Sequence, residues 1–178
     1  EKRYGLTAHE NYALSETFFL TSGSPTVPSV EGSVGRVLPN CEVNIFDDSG
    51  QPLDYGREGE VWVNTPYLME GYYDSEVDSV NLPDRQGWFP TGDIGIYAPT
   101  GELYITSRKK DLIIKGGINV GPAAIENVLY SHDGVAECAV VGVPHLIYGE
   151  NIAVVIRVAE GFEFETIKKE LTQLGNGE

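Results

Sequence analysis

Between Ser107 and Lys110 the hydrophobic pattern of the chain changes period, and no single regular architecture accommodates both parts. Before that point, short alternating runs such as "EVNIF" (42–46) and "GEVWVN" (59–64) are separated by the turn signals "DDSGQP" and "DYGREG". "TGELYITS" (100–107) adds another run behind a glycine turn. A period of two buries one face of a strand, so residues 1–108 are expected to be β-rich.

Beyond the boundary, "GPAAIENVLYSH" places Ala124, Ile125, Val128 and Leu129 at helical spacing, with Pro122 at the opening position and Gly134 just past the end. "ECAVVGVP" and "NIAVVIRVAEG" read as two buried strands joined by a loop in "VPHLIYGE", and "FETIKKELTQL" sets Ile167, Leu171 and Leu174 on one helical face. The order β-α-β-β-α predicts that residues 109–178 form a small α+β domain with a mixed or antiparallel sheet.

The boundary is also where positive charge gathers. "SRKKDLIIKGG" (107–117) holds Arg108, Lys109, Lys110 and Lys115, four of the 12 Lys and Arg residues of a chain whose net charge is −15. That balance argues against a nucleic-acid-binding surface, whose affinity comes from neutralising phosphates. A short basic cluster at a domain junction suits one small anionic ligand instead.

Other classes find little support. There is no apolar run long enough to span a membrane and no leader-like opening, so a cytoplasmic protein without a membrane span is expected. Cys41 and Cys138 stand alone, outside any CxxC, and read as free, largely buried thiols. His9, His132 and His145 show no metal spacing, and neither a GxSxG elbow, a Walker-type loop nor GxGxxG is present.

Three stretches hold candidate functional residues. In "WFPTGDIG" (88–95), Asp93 on a glycine turn either satisfies its own turn amides or accepts two hydrogen bonds from vicinal hydroxyls such as those of a ribose. In "KGGINVGPAAIE" (115–126), Gly116 and Gly117 between a strand and a helix serve a tight turn or the close approach of a ligand. "RYGLTAHE" (3–10) offers the aromatic face of Tyr4 and the hydroxyl of Thr7.

Taken in order, "YGLT", "GSVGRVLPNCEVNIFDDSG", "GREGEVWV", "MEGYY", "GWFPTGDIG", "GELYITSRKKDLIIKGGINVGPAAIENVL" and "VAECAVVGVP" resemble the C-terminal part of the adenylate-forming (AMP-binding) acyl-CoA synthetases across nearly the whole chain. The resemblance implies the β-rich end of a large N-terminal domain (1–108) followed by a mobile, truncated α+β C-terminal domain (109–178). Such enzymes use ATP and Mg²⁺ to convert a carboxylic acid into an acyl adenylate with release of pyrophosphate, then pass the acyl group to coenzyme A. By position, the resemblance implies that Tyr4 stacks on adenine, Thr7 contacts the α-phosphate, and Asp93 and Arg108 hold the ribose. It makes Lys110 the hinge and lines the pantetheine path with Gly116 and Gly117.

Three departures accompany it. Ala8 stands where the family has a glutamate that helps to bind Mg²⁺, and Glu10 lies two residues further on. The family's Lys-bearing phosphate loop is missing, "TSGSP" (21–25) being only superficially similar, and so is the C-terminal lysine that contacts the acyl carboxylate. These 178 residues are therefore expected to be an inactive fragment of an enzyme roughly three times as long. A domain that loads a carrier protein or stops at the acyl adenylate, and a non-catalytic binding module on the same fold, are the alternatives.

Overall fold

The structure is a computed structural model that describes residues 8–26, 30–81 and 87–175, the last four of these as backbone alone. The chain divides into two compact units, Glu1–Lys109 and Lys110–Glu178.

The first unit is all β. Strands β1 (Asn11–Leu14), β2 (Phe18–Ser22) and β3 (Arg36–Val37) form one antiparallel sheet. Strands β4 (Glu42–Phe46) and β5 (Glu58–Asn64) begin a second, and β6 (Tyr72–Asp74) pairs with β7 (Ser79–Asn81) as a separate hairpin. The second sheet is completed by β8 (Phe89–Tyr97) and β9 (Leu103–Arg108), in the antiparallel order β4-β5-β8-β9. One core joins the two larger sheets: Tyr12 and Leu20 from the first pack with Val43, Ile45, Val61, Val63, Phe89 and Leu103 from the second. The alternation in "EVNIF" buries Val43 and Ile45, while Phe46 on the other face lies 4.7 Å from the Trp62 ring.

Opposite Val61 the pairing of β5 with β8 slips, from Glu60 facing Ile94 to Trp62 facing Pro90. The slip is a bulge, and Gly92 within it has φ +73°, a conformation that costs glycine little. Asp93 therefore sits inside a bulged strand rather than on the turn expected from "TGD". A lone glycine in a run signals turn and bulge alike.

In the second unit, after a 3₁₀ turn at Lys109–Asp111, β10 (Ile113–Lys115) and β11 (Ile118–Val120) form a hairpin. Helix α1 (Pro122–Tyr130), strands β12 (Val135–His145) and β13 (Gly149–Val158), and helix α2 (Phe164–Gly175) follow. The sheet order is β11-β10-β13-β12, antiparallel throughout. Ile113, Leu129 and Val140 form its core, flanked by Ile125, Cys138, Ile152, Ile156 and Leu171.

Three details of the second unit depart from expectation. Gly116 (φ +60°) and Gly117 (φ +84°) form the two-residue turn of the β10–β11 hairpin and do not run from a strand into the helix. Two consecutive positive φ values match the mirror-image turn that follows strand twist, and they favour glycine for that reason alone. The order is thus β-β-α-β-β-α, with one strand more than the pattern suggested.

Strands β12 and β13 are half-buried rather than buried, with Val141 and Val155 exposed on the outer face. Helix α1 packs with Ile125 and Leu129, whereas Ala124 and Val128 are exposed. The reason lies at the open edge of β12. Glu126 accepts a hydrogen bond from the Val140 amide at 2.9 Å, and the Tyr130 hydroxyl meets both the amide and the carbonyl of Cys138 at 3.3 Å. Satisfying edge backbone turned the helix toward those two polar side chains, one helical turn apart.

Candidate functional site

In the first unit, the site starts from the pairing of β8 with β9, which places Asp93 directly opposite Arg108. Opposite charges facing each other across two strands attract. Here Arg108 Nε lies 2.7 Å from Asp93 Oδ1. The carboxylate is 2% exposed and the arginine side chain 53%, so the pair has a buried anion under a cation that faces solvent. The Asp93 amide donates to Thr91 Oγ1 (3.1 Å), whose own hydroxyl donates to the Val61 carbonyl (2.8 Å) and ties the bulge to β5.

The other carboxylate oxygen has a partner that no motif indicated. Tyr12, on β1, donates its hydroxyl to Asp93 Oδ2 at 2.5 Å. Its amide donates to Thr21 Oγ1 on the neighbouring strand. Burial first, and then the bond to Asp93, push the Tyr12 phenol well above its usual value, so it stays a donor.

Beside Arg108 opens a cleft of ≈ 410 Å³, lined by Glu16, Glu60, Tyr72, Thr91 and Gly92 among others. Tyr72 donates to Glu16 at 2.7 Å, and Lys109 meets Glu60 at 2.9 Å. A wall that offers carboxylates and one arginine suits a ligand with hydroxyl donors and a limited anionic charge. Among the described residues a further cavity of ≈ 130 Å³, beside the Arg36–Glu102 ion pair, is well below the roughly 300 Å³ at which ligand pockets begin.

The candidates from the sequence separate. Asp93 and Arg108 meet; Tyr4 and Thr7 lie outside the described residues; Lys110, Gly116 and Gly117 belong to the second unit. Of the four cations in "SRKKDLIIKGG", Arg108 and Lys109 are paired with carboxylates of the first unit, and Lys115 Nζ lies 5.8 Å from the Tyr148 ring.

Ala8, where the resemblance implies a Mg²⁺-binding glutamate, offers no side-chain oxygen. Among the described residues no group of three His, Cys, Asp or Glu could hold a metal. Burial pushes the Cys138 thiol up, which disfavours its thiolate. No helix among the described residues is long and apolar enough to cross a membrane.

Tyr12 escaped the sequence reading because it is 81 positions from Asp93 and sits in the ordinary run "NYAL". Its only local signal is an aromatic residue at a core-facing strand position.

Comparison with known proteins gives the site its setting. Residues 1–73 match the family profile described as AMP-binding enzyme, and residues 124–177 the profile described as AMP-binding enzyme C-terminal domain. A long-chain-fatty-acid–CoA ligase of Yersinia pestis is 38% identical over 148 residues, which is 83% of this chain and 26% of that protein. The crystal structure of ATP-bound MatB from Rhodopseudomonas palustris superposes with a TM-score of 0.84 at 33% identity, covering 98% of this chain and 35% of that one. An amide bond synthetase, McbA from Marinactinospora thermotolerans, does so with a TM-score of 0.80 at 35% identity, covering 97% and 36%. The chain thus spans about a quarter to a third of the length of these relatives.

Proposed function

The chain belongs to the AMP-binding, adenylate-forming enzymes, and from that premise we propose that the protein carrying it is an ATP-dependent acid–thiol ligase. It activates a carboxylic acid as an acyl adenylate and transfers the acyl group to coenzyme A. A carboxylate has a poor leaving group; once it is an acyl phosphate anhydride, a thiol displaces AMP readily.

The observation that carries the reading is the Asp93–Arg108 pair at the wall of the polar cleft. A carboxylate offers about four acceptor positions, of which Tyr12 and Arg108 take one on each oxygen. One position per oxygen remains for the vicinal hydroxyls of a ribose. Because Asp93 is 2% exposed, the diol reaches it where the Arg108 side chain gives way along the cleft. The guanidinium bonds Asp93 through Nε and can turn its amino groups to the α-phosphate.

Tyr4 stacks on the adenine and Thr7 donates to the α-phosphate. Lys110 is the residue about which the second unit moves between the two half-reactions, and Gly116 and Gly117 leave room for pantetheine.

The test is turnover by the full-length protein with a panel of fatty, aromatic and short-chain acids, ATP and coenzyme A. The reading expects AMP, pyrophosphate and an acyl-CoA in equal amounts. AMP and pyrophosphate without acyl-CoA would leave the first half-reaction and discard the second. The amide bond synthetase among the structural relatives favours keeping that second reading, in which the acyl adenylate meets another acceptor.

A further inference from the structure

We propose that Tyr12 is a positioning residue for nucleotide binding: its buried phenol fixes the rotation of the Asp93 carboxylate so that the remaining acceptor positions face the ribose. This rests on the ribose reading of Asp93 and adds a residue from a different sheet of the first unit.

The need for such a residue follows from the other contacts. The carboxylate rotates about a torsion whose energy profile is broad, so one contact does not set its plane. Arg108 supplies a single Nε bond from a long, half-exposed side chain that also has to yield when a ligand enters. Its hold is weakest at the moment the carboxylate must be in place. Tyr12 is the opposite kind of partner. It is 9% exposed, packed in the core with Leu20, Val43 and Val63, and anchored through its own amide to Thr21.

A phenol on so rigid a base donates along one fixed direction, to Oδ2 at 2.5 Å. The Thr91 bond to the Asp93 amide fixes the backbone on the other side. With backbone and Oδ2 both held, Oδ1 and the outward lone pairs have one orientation before ligand arrives, which is the preorganisation a binding site requires. Burial keeps the phenol protonated, so the donor role persists across neutral pH.

The experiment compares ATP with 2′,3′-dideoxy-ATP, which lacks the diol, by isothermal titration into the full-length protein, into Tyr12→Phe and into Asp93→Asn. The unchanged protein is expected to prefer ATP by about tenfold or more, the range for losing hydrogen bonds to a charged group. Asp93→Asn should abolish most of that preference. Tyr12→Phe keeps the ring in the core, and should reduce the preference severalfold while leaving dideoxy-ATP affinity unchanged.

A ring-fluorinated tyrosine at position 12, which keeps both ring and donor, should restore the preference. If Tyr12→Phe keeps the full preference while Asp93→Asn loses it, Asp93 holds the ribose unaided and the positioning role is wrong. Equal loss of affinity for both nucleotides in Tyr12→Phe would reduce Tyr12 to packing and likewise overturn it. No preference in the unchanged protein would remove the ribose reading itself, and this inference with it.

Discussion

Gly117 separates two requirements that the same residue could serve. Its φ of +84°, after +60° at Gly116, is what a two-residue hairpin turn demands, and a Cβ added there meets nothing within 4 Å. Alanine therefore adds no collision, and its cost is the left-handed conformation alone, about 1–2 kcal/mol. Asparagine tolerates that conformation and should cost only a few tenths of a kcal/mol. If the turn were the whole reason for glycine, Gly117→Asn would behave like the unchanged protein.

If the glycines line the route of pantetheine, the new side chain obstructs it although the fold is intact. Displacing a reacting group by about an ångström costs on the order of 100-fold, so a partial obstruction should slow thioester formation by about tenfold or more. Adenylate formation should stay within about twofold. Stopped-flow or quench measurement of the two half-reactions in the full-length protein, together with denaturant unfolding, reads all three quantities. Full-rate thioester formation by Gly117→Asn would refute the path and leave the turn as sufficient cause.

Other perturbations test other parts of the account. Leu103→Ala, at a fully buried core position, should cost about 2–5 kcal/mol in denaturant unfolding followed by tryptophan fluorescence. Glu126→Ala strips the partner from the Val140 amide, beside a residue 4% exposed, and should cost about 1–3 kcal/mol, whereas Glu126→Gln retains an acceptor and should lose far less. The raised Tyr12 phenol makes a pH prediction. Its contribution is complete below the unfolded value of about 10 and is lost as pH rises above it, because the unfolded chain ionises first. Tyr12→Phe should flatten that alkaline decline.

Much of the fold was legible in the sequence. The alternating runs "EVNIF" and "GEVWVN" marked strands where strands lie. Where the reading missed, the deciding interaction was not local. A hydrophobic count puts Ala124 and Val128 on the buried face of α1, but the amide at the free edge of β12 draws Glu126 inward instead.

The same holds at the site. Asp93 and Arg108 stood out because each lies in a distinctive short motif, and cross-strand register then brings them together. Tyr12 reaches Asp93 only because two sheets share one core, a fact that no spacing within "NYAL" encodes. The bulge at Gly92 was hidden for a different reason. One glycine in an apolar run looks the same whether the chain turns or merely slips its register by two residues.

The central claim is that this protein makes an acyl adenylate in a site that Asp93 and Arg108 help to build. Phosphorus NMR of ATP consumed by the full-length protein with its acid substrate, before coenzyme A is added, tests it directly. The account predicts acyl-AMP and pyrophosphate as the products, with Arg108→Gln lowering the rate by about 10–100-fold through loss of a charge-assisted contact. ADP and phosphate as products, or an unchanged rate in Arg108→Gln, would contradict it.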